Sequence, residues 1–312
     1  MVDEKRSSQA DDLDDDDDGD DEVGLSPVKN PRQKPQLVYV LVAMLVVGII
    51  SAVYFFGIKD KEIIPDELVP IKVLIVGNDT LHLNDVPNMV REVATMSKSW
   101  RPLEVSCVAR EDYSLSQHVD EAAAQKLIAD NDFDFVVLQD RWLQPLQDPG
   151  GMLESTRALA QAARKKGSRV VLFIPWADAG ENKRQEVLSS VSRKLAERLS
   201  IDVAPAGDVF FAVVKKHKEI NPYVSDKHHV SSIGAWLAAA TLYSVVTGQK
   251  PKLKADQFTY QSGDGEEPQV PVVGDVATDV ETIVWETVTQ QNPGKRLGPT
   301  VAPAPQKTLE LK

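Results

Sequence analysis

The sequence is poor in three things, and each shortage excludes something. It has one cysteine in 312 residues, Cys107, so no intrachain disulfide can form. The surrounding residues, Val105-Ser-Cys-Val108, are apolar, which predicts a small core side chain rather than a reactive thiol. No cluster of lysine and arginine stands out, which argues against nucleic acid as a partner. Long hydrophobic runs are also scarce: there is one, Leu37–Phe56, with twenty consecutive uncharged residues. At about 1.5 Å per residue it matches the roughly 30 Å hydrocarbon core of a bilayer.

That run predicts a single-pass membrane anchor over residues 37–57. Tyr39 and Tyr54 stand near its two ends, where amphipathic rings prefer the interface. It is too long for a signal-peptide core, and no small-x-small cleavage site follows it. Lys29, Arg32 and Lys34 precede it, against Lys59 and Lys61 after it. The bias favours a cytoplasmic N-terminus and an extracytoplasmic globular part, as for a protein of a bacterial inner membrane.

The formal charge of −12 is concentrated at the start of the chain. Residues 1–22 hold twelve acidic side chains against Lys5 and Arg6, so the remainder of the protein is nearly neutral. A run such as Asp14–Asp18 repels itself and buries no apolar area, which predicts a disordered acidic tail over 1–36. Residues 58–69 read as a linker.

From residue 70 to 252 the pattern alternates. Ile71–Val76, Leu103–Val108, Phe133–Leu138, Arg169–Ile174 and Ile201–Val203 are short apolar runs that suit strands covered on both faces. Between and after them, helical spacing predicts helices over Val86–Ser97, His118–Ala129, Met152–Lys166, Lys183–Leu199, Ala206–Lys218 and Ser232–Val246. Asn84 or Asp85 would cap the first of these. Such alternation predicts a three-layer α/β/α domain on a five-stranded parallel sheet. Residues 253–312 are rich in Pro and Gly, with one helical stretch at Ala277–Gln290 that could dock on the domain or bind a partner.

In sheets of this kind ligands bind beyond the carboxyl ends of the strands. Asp79 follows the first strand, Gln139 the third, and Asp226-Lys-His-His229 the fifth. The Asp-x-x-His pair can fix an imidazole tautomer and leave the other ring nitrogen as a general base. Asp79, Asp112, His229 and His228 form a mixed carboxylate and imidazole set that could also suit a divalent ion. No cofactor motif is present, and no metal is assigned. His82 and His118 lie near the expected cleft mouth.

Block by block, the chain resembles the SGNH/GDSL hydrolases, in particular the bacterial branch with a Gly-Asn-Ser first block. The matching stretches are Gly77-Asn78-Asp79-Thr80, Asn84-Asp85-Val86-Pro87, Val136-Val137-Leu138-Gln139, Trp176, Val203-Ala204-Pro205-Ala206-Gly207, and Asp226, His229, Ser231 and Gly234. The resemblance implies a flavodoxin-like esterase fold over about residues 70–250. It also implies that Asp79 stands at the nucleophile position, His229 at the base and Asp226 behind it. Asn78, Asp112 and Gln139 fall at oxyanion-hole or substrate-binding positions.

The departures fall at the chemistry. Asp79 has no hydroxyl to attack with, and Glu111-Asp112 stands where a glycine pair is expected. These losses imply a catalytically impaired, pseudoenzyme-like domain that acts as a binding or scaffold module, with a glycan, an acylated ligand or a protein as its partner. The other reading is an active esterase or carbohydrate O-deacetylase that uses a different nucleophile, Thr80 or Asp79 itself.

Overall fold

The computed structural model describes residues 40–48, 69–82, 85–253 and 274–299. Residues 40–48 are helical and belong to a unit separate from the one that begins at Ile64. No helix among the described residues is long and apolar enough to cross a membrane. Most of the candidate span, the acidic segment and the linker lie outside the described residues.

In the larger unit, strand β1 (Ile71–Asn78) leads into a single turn, α1 (Asp79–His82), and then into α2 (Val86–Met96) and β2 (Leu103–Arg110). Next come α3 (Leu115–Asp120), α4 (Ala123–Asp130), β3 (Phe135–Leu138), α5 (Gln144–Gln147) and α6 (Pro149–Lys165). The remainder is β4 (Arg169–Phe173), α7 (Asn182–Leu199), β5 (Asp202–Ala204), α8 (Ala206–Lys216), α9 (Ser232–Thr247) and α10 (Gly274–Gln291). The five strands form one sheet in the order β2-β1-β3-β4-β5, and every neighbouring pair is parallel. The expected α/β architecture is therefore present.

The apolar runs are continuous because both faces of the sheet are covered. Ile71, Val73, Ile75, Phe135, Val137, Val171 and Phe173 pack under α2, α8, α9 and α10. Leu74, Val76, Val136, Leu138, Val170 and Leu172 pack on the other face, against α3, α4, α6 and α7. Helix α9 is buried on every side from Ile233 to Thr247, which is why its sequence shows no polar stripe.

Three local expectations need correction. The helix expected over His118–Ala129 is broken into two at Ala122, whose φ of 57° ends one helix and starts the next. Asp85 sits at the N-cap of α2, but in a left-handed conformation with no side-chain cap bond. Its carboxylate accepts from the Asn88 side chain instead. Cys107 is only partly buried at the margin of the core, and burial, with Asp85 nearby, pushes its thiol up to about 11.

The helix foreseen in the C-terminal segment docks on the domain. Ala277, Val280, Val284 and Val288 of α10 are buried in the main core, against α8 and α9. The buried Glu281 accepts from Leu253 N–H at 2.8 Å and from Lys252 at 3.0 Å, which ties the helix to the segment that follows α9.

Candidate functional site

The first side of the site is the turn where β1 ends. Gly77 lets the buried Gln139 side chain press on the strand, because a Cβ there would overlap the Gln139 amide oxygen. Gln139 Oε1 then accepts the Asn78 N–H at 2.9 Å, and its Nε2 donates to Asp140 O at 2.6 Å. The Asn78 side chain accepts from Thr80 N–H at 3.1 Å and donates to Tyr113 O at 3.3 Å. Both residues are buried, so both act here on the shape of the turn. The buried His118 supports it from behind, its Nε2 donating to Gly77 O at 2.7 Å. Burial pulls the His118 pKa below its ordinary value, which favours the neutral ring.

This turn delivers Asp79 to the loop that follows β2. Asp112 occupies a left-handed conformation, φ 50°, where a glycine is favoured. Its backbone N–H donates to Asp79 Oδ1 at 2.9 Å. The carboxylate that follows β1 and the backbone donor of the loop after β2 are thus bonded to each other. The exposed Asp112 carboxylate lies 3.7 Å from the Arg141 guanidinium, a contact weakened by solvent. Beside Arg141, burial pushes the Asp140 carboxyl up to about 6, while its Oδ1 accepts from Leu115 and Arg141 N–H.

The second side is the loop before α9. Lys227, with φ 65°, turns the chain so that the Asp226 carboxylate accepts three times. It takes His228 N–H at 2.8 Å, His229 N–H at 2.9 Å and His229 Nδ1 at 2.5 Å. The His229 side-chain bond, then the two backbone donors, hold the Asp226 carboxyl down at about 2. The Asp–His pair read from the sequence is formed, with Nδ1 turned to the carboxylate and Nε2 left for other chemistry.

A second pair lies next to it. His228 Nδ1 meets Asp178 Oδ1 at 2.6 Å, and its ring packs on Trp142 at 5.2 Å between centroids. Sequence reasoning did not reach Asp178, Trp142 or Arg141. Asp178 lies two residues past Trp176, beyond the end of β4, and that position was its only signal. The loop is fastened by Ala179 N–H to Lys227 O at 2.8 Å and by Trp176 Nε1 to His228 O at 3.2 Å. Trp176 itself stacks on Phe210 at 4.8 Å, nearly parallel.

Pairwise contacts therefore link Asp79 to Asp112, Asp112 to Arg141, Trp142 to His228, His228 to His229 and His229 to Asp226. Asp79 and His229 are not joined by a hydrogen bond or an ion pair among the described residues. The described residues also contain no group of three or more His, Cys, Asp or Glu placed to hold a metal ion.

Comparison with known proteins gives the fold and nothing finer. No family model matches the chain, and no curated protein does. Among solved structures, a chain from Slackia heliotrinireducens assigned to the SGNH hydrolases is 23% identical, with a TM-score of 0.50. That likeness spans 56% of this chain and 98% of the other. The acetyl xylan esterase AlAXEase is 18% identical with a TM-score of 0.45, over 56% of this chain and 100% of its own. An acetyl xylan esterase from Geobacillus stearothermophilus is 14% identical with a TM-score of 0.44, over 56% of this chain and 94% of its own. The sheet order and the parallel strands give an α/β fold similar to that of the Slackia heliotrinireducens chain.

Proposed function

We propose that this is a membrane-anchored protein whose hydrolase-like domain binds an acylated ligand without turning it over. The observation that supports the reading is the bond from Asp112 N–H to Asp79 Oδ1. In an acyl-transfer site, the nucleophile must carry a removable proton and the backbone donors must be open to the developing oxyanion. Here one carboxylate defeats both requirements. It offers no hydroxyl, and it occupies a donor that would otherwise face substrate oxygen. The uncharged run Leu37–Phe56 supports anchoring, with the domain on the extracytoplasmic side of the membrane.

A second reading has one observation in its favour. The Asp226–His229 pair is assembled with a 2.5 Å bond, as an active general base would need. On that reading another hydroxyl, that of Thr80, takes the proton transfer. Treating the full chain in detergent micelles with a fluorophosphonate, followed by intact-mass measurement, separates the two. The binding reading expects no adduct. A stoichiometric adduct on Thr80, or on any serine, that disappears in His229→Ala establishes the esterase reading instead.

A further inference from the structure

The two edges of the sheet are finished differently. At the β5 edge the side chain of Asn292, just past α10, imitates a neighbouring strand. Its Oδ1 accepts Val203 N–H at 3.0 Å, and its Nδ2 donates to Val203 O at 2.9 Å. Lys295 donates to Ile201 O close by and lies 3.5 Å from the Asp202 carboxylate. That edge is closed to further pairing.

The β2 edge is eight residues long. Ile71 N–H donates to Pro102 O at 2.8 Å, which fixes the phase of the ladder. Even-numbered residues of β2 turn their backbone groups toward β1, so Leu103, Val105, Cys107 and Ala109 turn theirs outward. Among the described residues only one of these outward groups has a partner: the Val105 carbonyl, which accepts from Arg91 at 2.5 Å. A carbonyl has a second lone pair, so that contact leaves room for another donor. Open edges are ordinarily blunted by charged side chains, by proline within the strand, by a bulge, or by a covering helix or loop. β2 has no lysine, proline or bulge; its charged residues are Glu104 and Arg110, both exposed and near opposite ends, and the one side chain that reaches its outer backbone among the described residues is Arg91.

We propose that β2 pairs antiparallel with β2 of a second copy, giving a two-fold dimer with one continuous ten-stranded sheet. The chemistry also sets the register. Facing residues in an antiparallel pair lie on the same side of the sheet, and outward backbone groups must meet outward ones. The two-fold axis therefore passes through a residue rather than between two. An axis at Cys107 places Glu104 of each copy opposite Arg110 of the other, with Val105 opposite Ala109 and Ser106 opposite Val108. Moving the axis to Val108 sets Glu104 against Asp112, and moving it to Ser106 sets Glu104 against Val108. Only the central register pairs both charges. Arg110 already meets Glu121 at 2.6 Å, and its five N–H donors can serve both carboxylates.

The test is sedimentation of the full chain in detergent across a concentration series. Glu104→Arg and Arg110→Glu, each alone, place like charges opposite one another twice per dimer. Each is expected to weaken dimerisation about tenfold, while the double variant restores it. Circular dichroism of each variant reports whether it has folded. As an independent check, Glu104→Cys with Arg110→Cys in a Cys107→Ser background is treated with oxidised glutathione. These facing positions form a non-hydrogen-bonded pair with Cα atoms about 4.5 Å apart, within disulfide reach, so a covalent dimer is expected. A chain that stays monomeric at every concentration overturns the proposal. So does a dimer indifferent to the single reversals, or one that the double reversal fails to restore.

Discussion

On the binding reading proposed above, Asp79→Ser is expected to introduce esterase activity. The scaffold around that position is otherwise in place: a turn held by Gln139, Asn78 and His118, and a histidine already oriented by Asp226. On that reading a serine Oγ at position 79 supplies the nucleophile, which in acyl-transfer sites is worth roughly 10⁶ in rate. The same change withdraws the carboxylate from Asp112 N–H and frees that donor. The gain will fall short of the full figure, because a defective oxyanion hole costs about 10² to 10³. The Asp112 carboxylate remains beside the site and opposes negative charge there. Aryl acetate hydrolysis should therefore rise at least about 10³-fold over the wild-type chain, the difference between those two magnitudes. Adding His229→Ala to Asp79→Ser should abolish the gain. If Asp79→Ser folds and stays inert, position 79 is not where the chemistry of this scaffold occurs.

Asn292→Ala is expected to produce a large loss of stability. The amide of Asn292 satisfies both backbone groups of Val203 and also donates to Val288 O at 2.9 Å. Truncation strips partners from a buried N–H and a buried C=O, each worth about 1–3 kcal/mol when left unpaired. A decrease of about 2–4 kcal/mol in the unfolding free energy follows, read from urea denaturation with an unchanged m-value. Asn292→Asp provides the internal control. It keeps an acceptor for Val203 N–H but turns a carboxylate oxygen toward Val203 O, so it should destabilise as well. If either variant melts like the wild type, water does the work assigned to this side chain.

The strands were legible because burial on both faces leaves an unbroken apolar run, and only their ends moved by one or two residues. Helix boundaries were harder where a backbone conformation decides them. Nothing in Glu121-Ala122-Ala123 announces that Ala122 takes φ 57° and divides a helix. The spacing of Ala277, Val280, Val284 and Val288 marked a helix, but not the surface it covers, because that surface is assembled from α8 and α9.

At the site, the Asp226–His229 pair could be read directly, since both partners lie on one loop three residues apart. Asp178 could not, because its histidine is fifty residues away in the chain. Asp79 and Glu111-Asp112 stood out together as departures from the pattern the chain resembles. The bond between Asp79 and Asp112 depends on the left-handed backbone at Asp112, and no local sequence signal fixes it.

The most direct test of this account compares initial rates of p-nitrophenyl acetate hydrolysis by the wild-type chain and by its His229→Ala variant, at equal concentration in the same micelles. Equal rates, at the level of the buffer and micelles alone, are expected. Turnover by the wild type that falls to background when His229 is removed would contradict the binding reading.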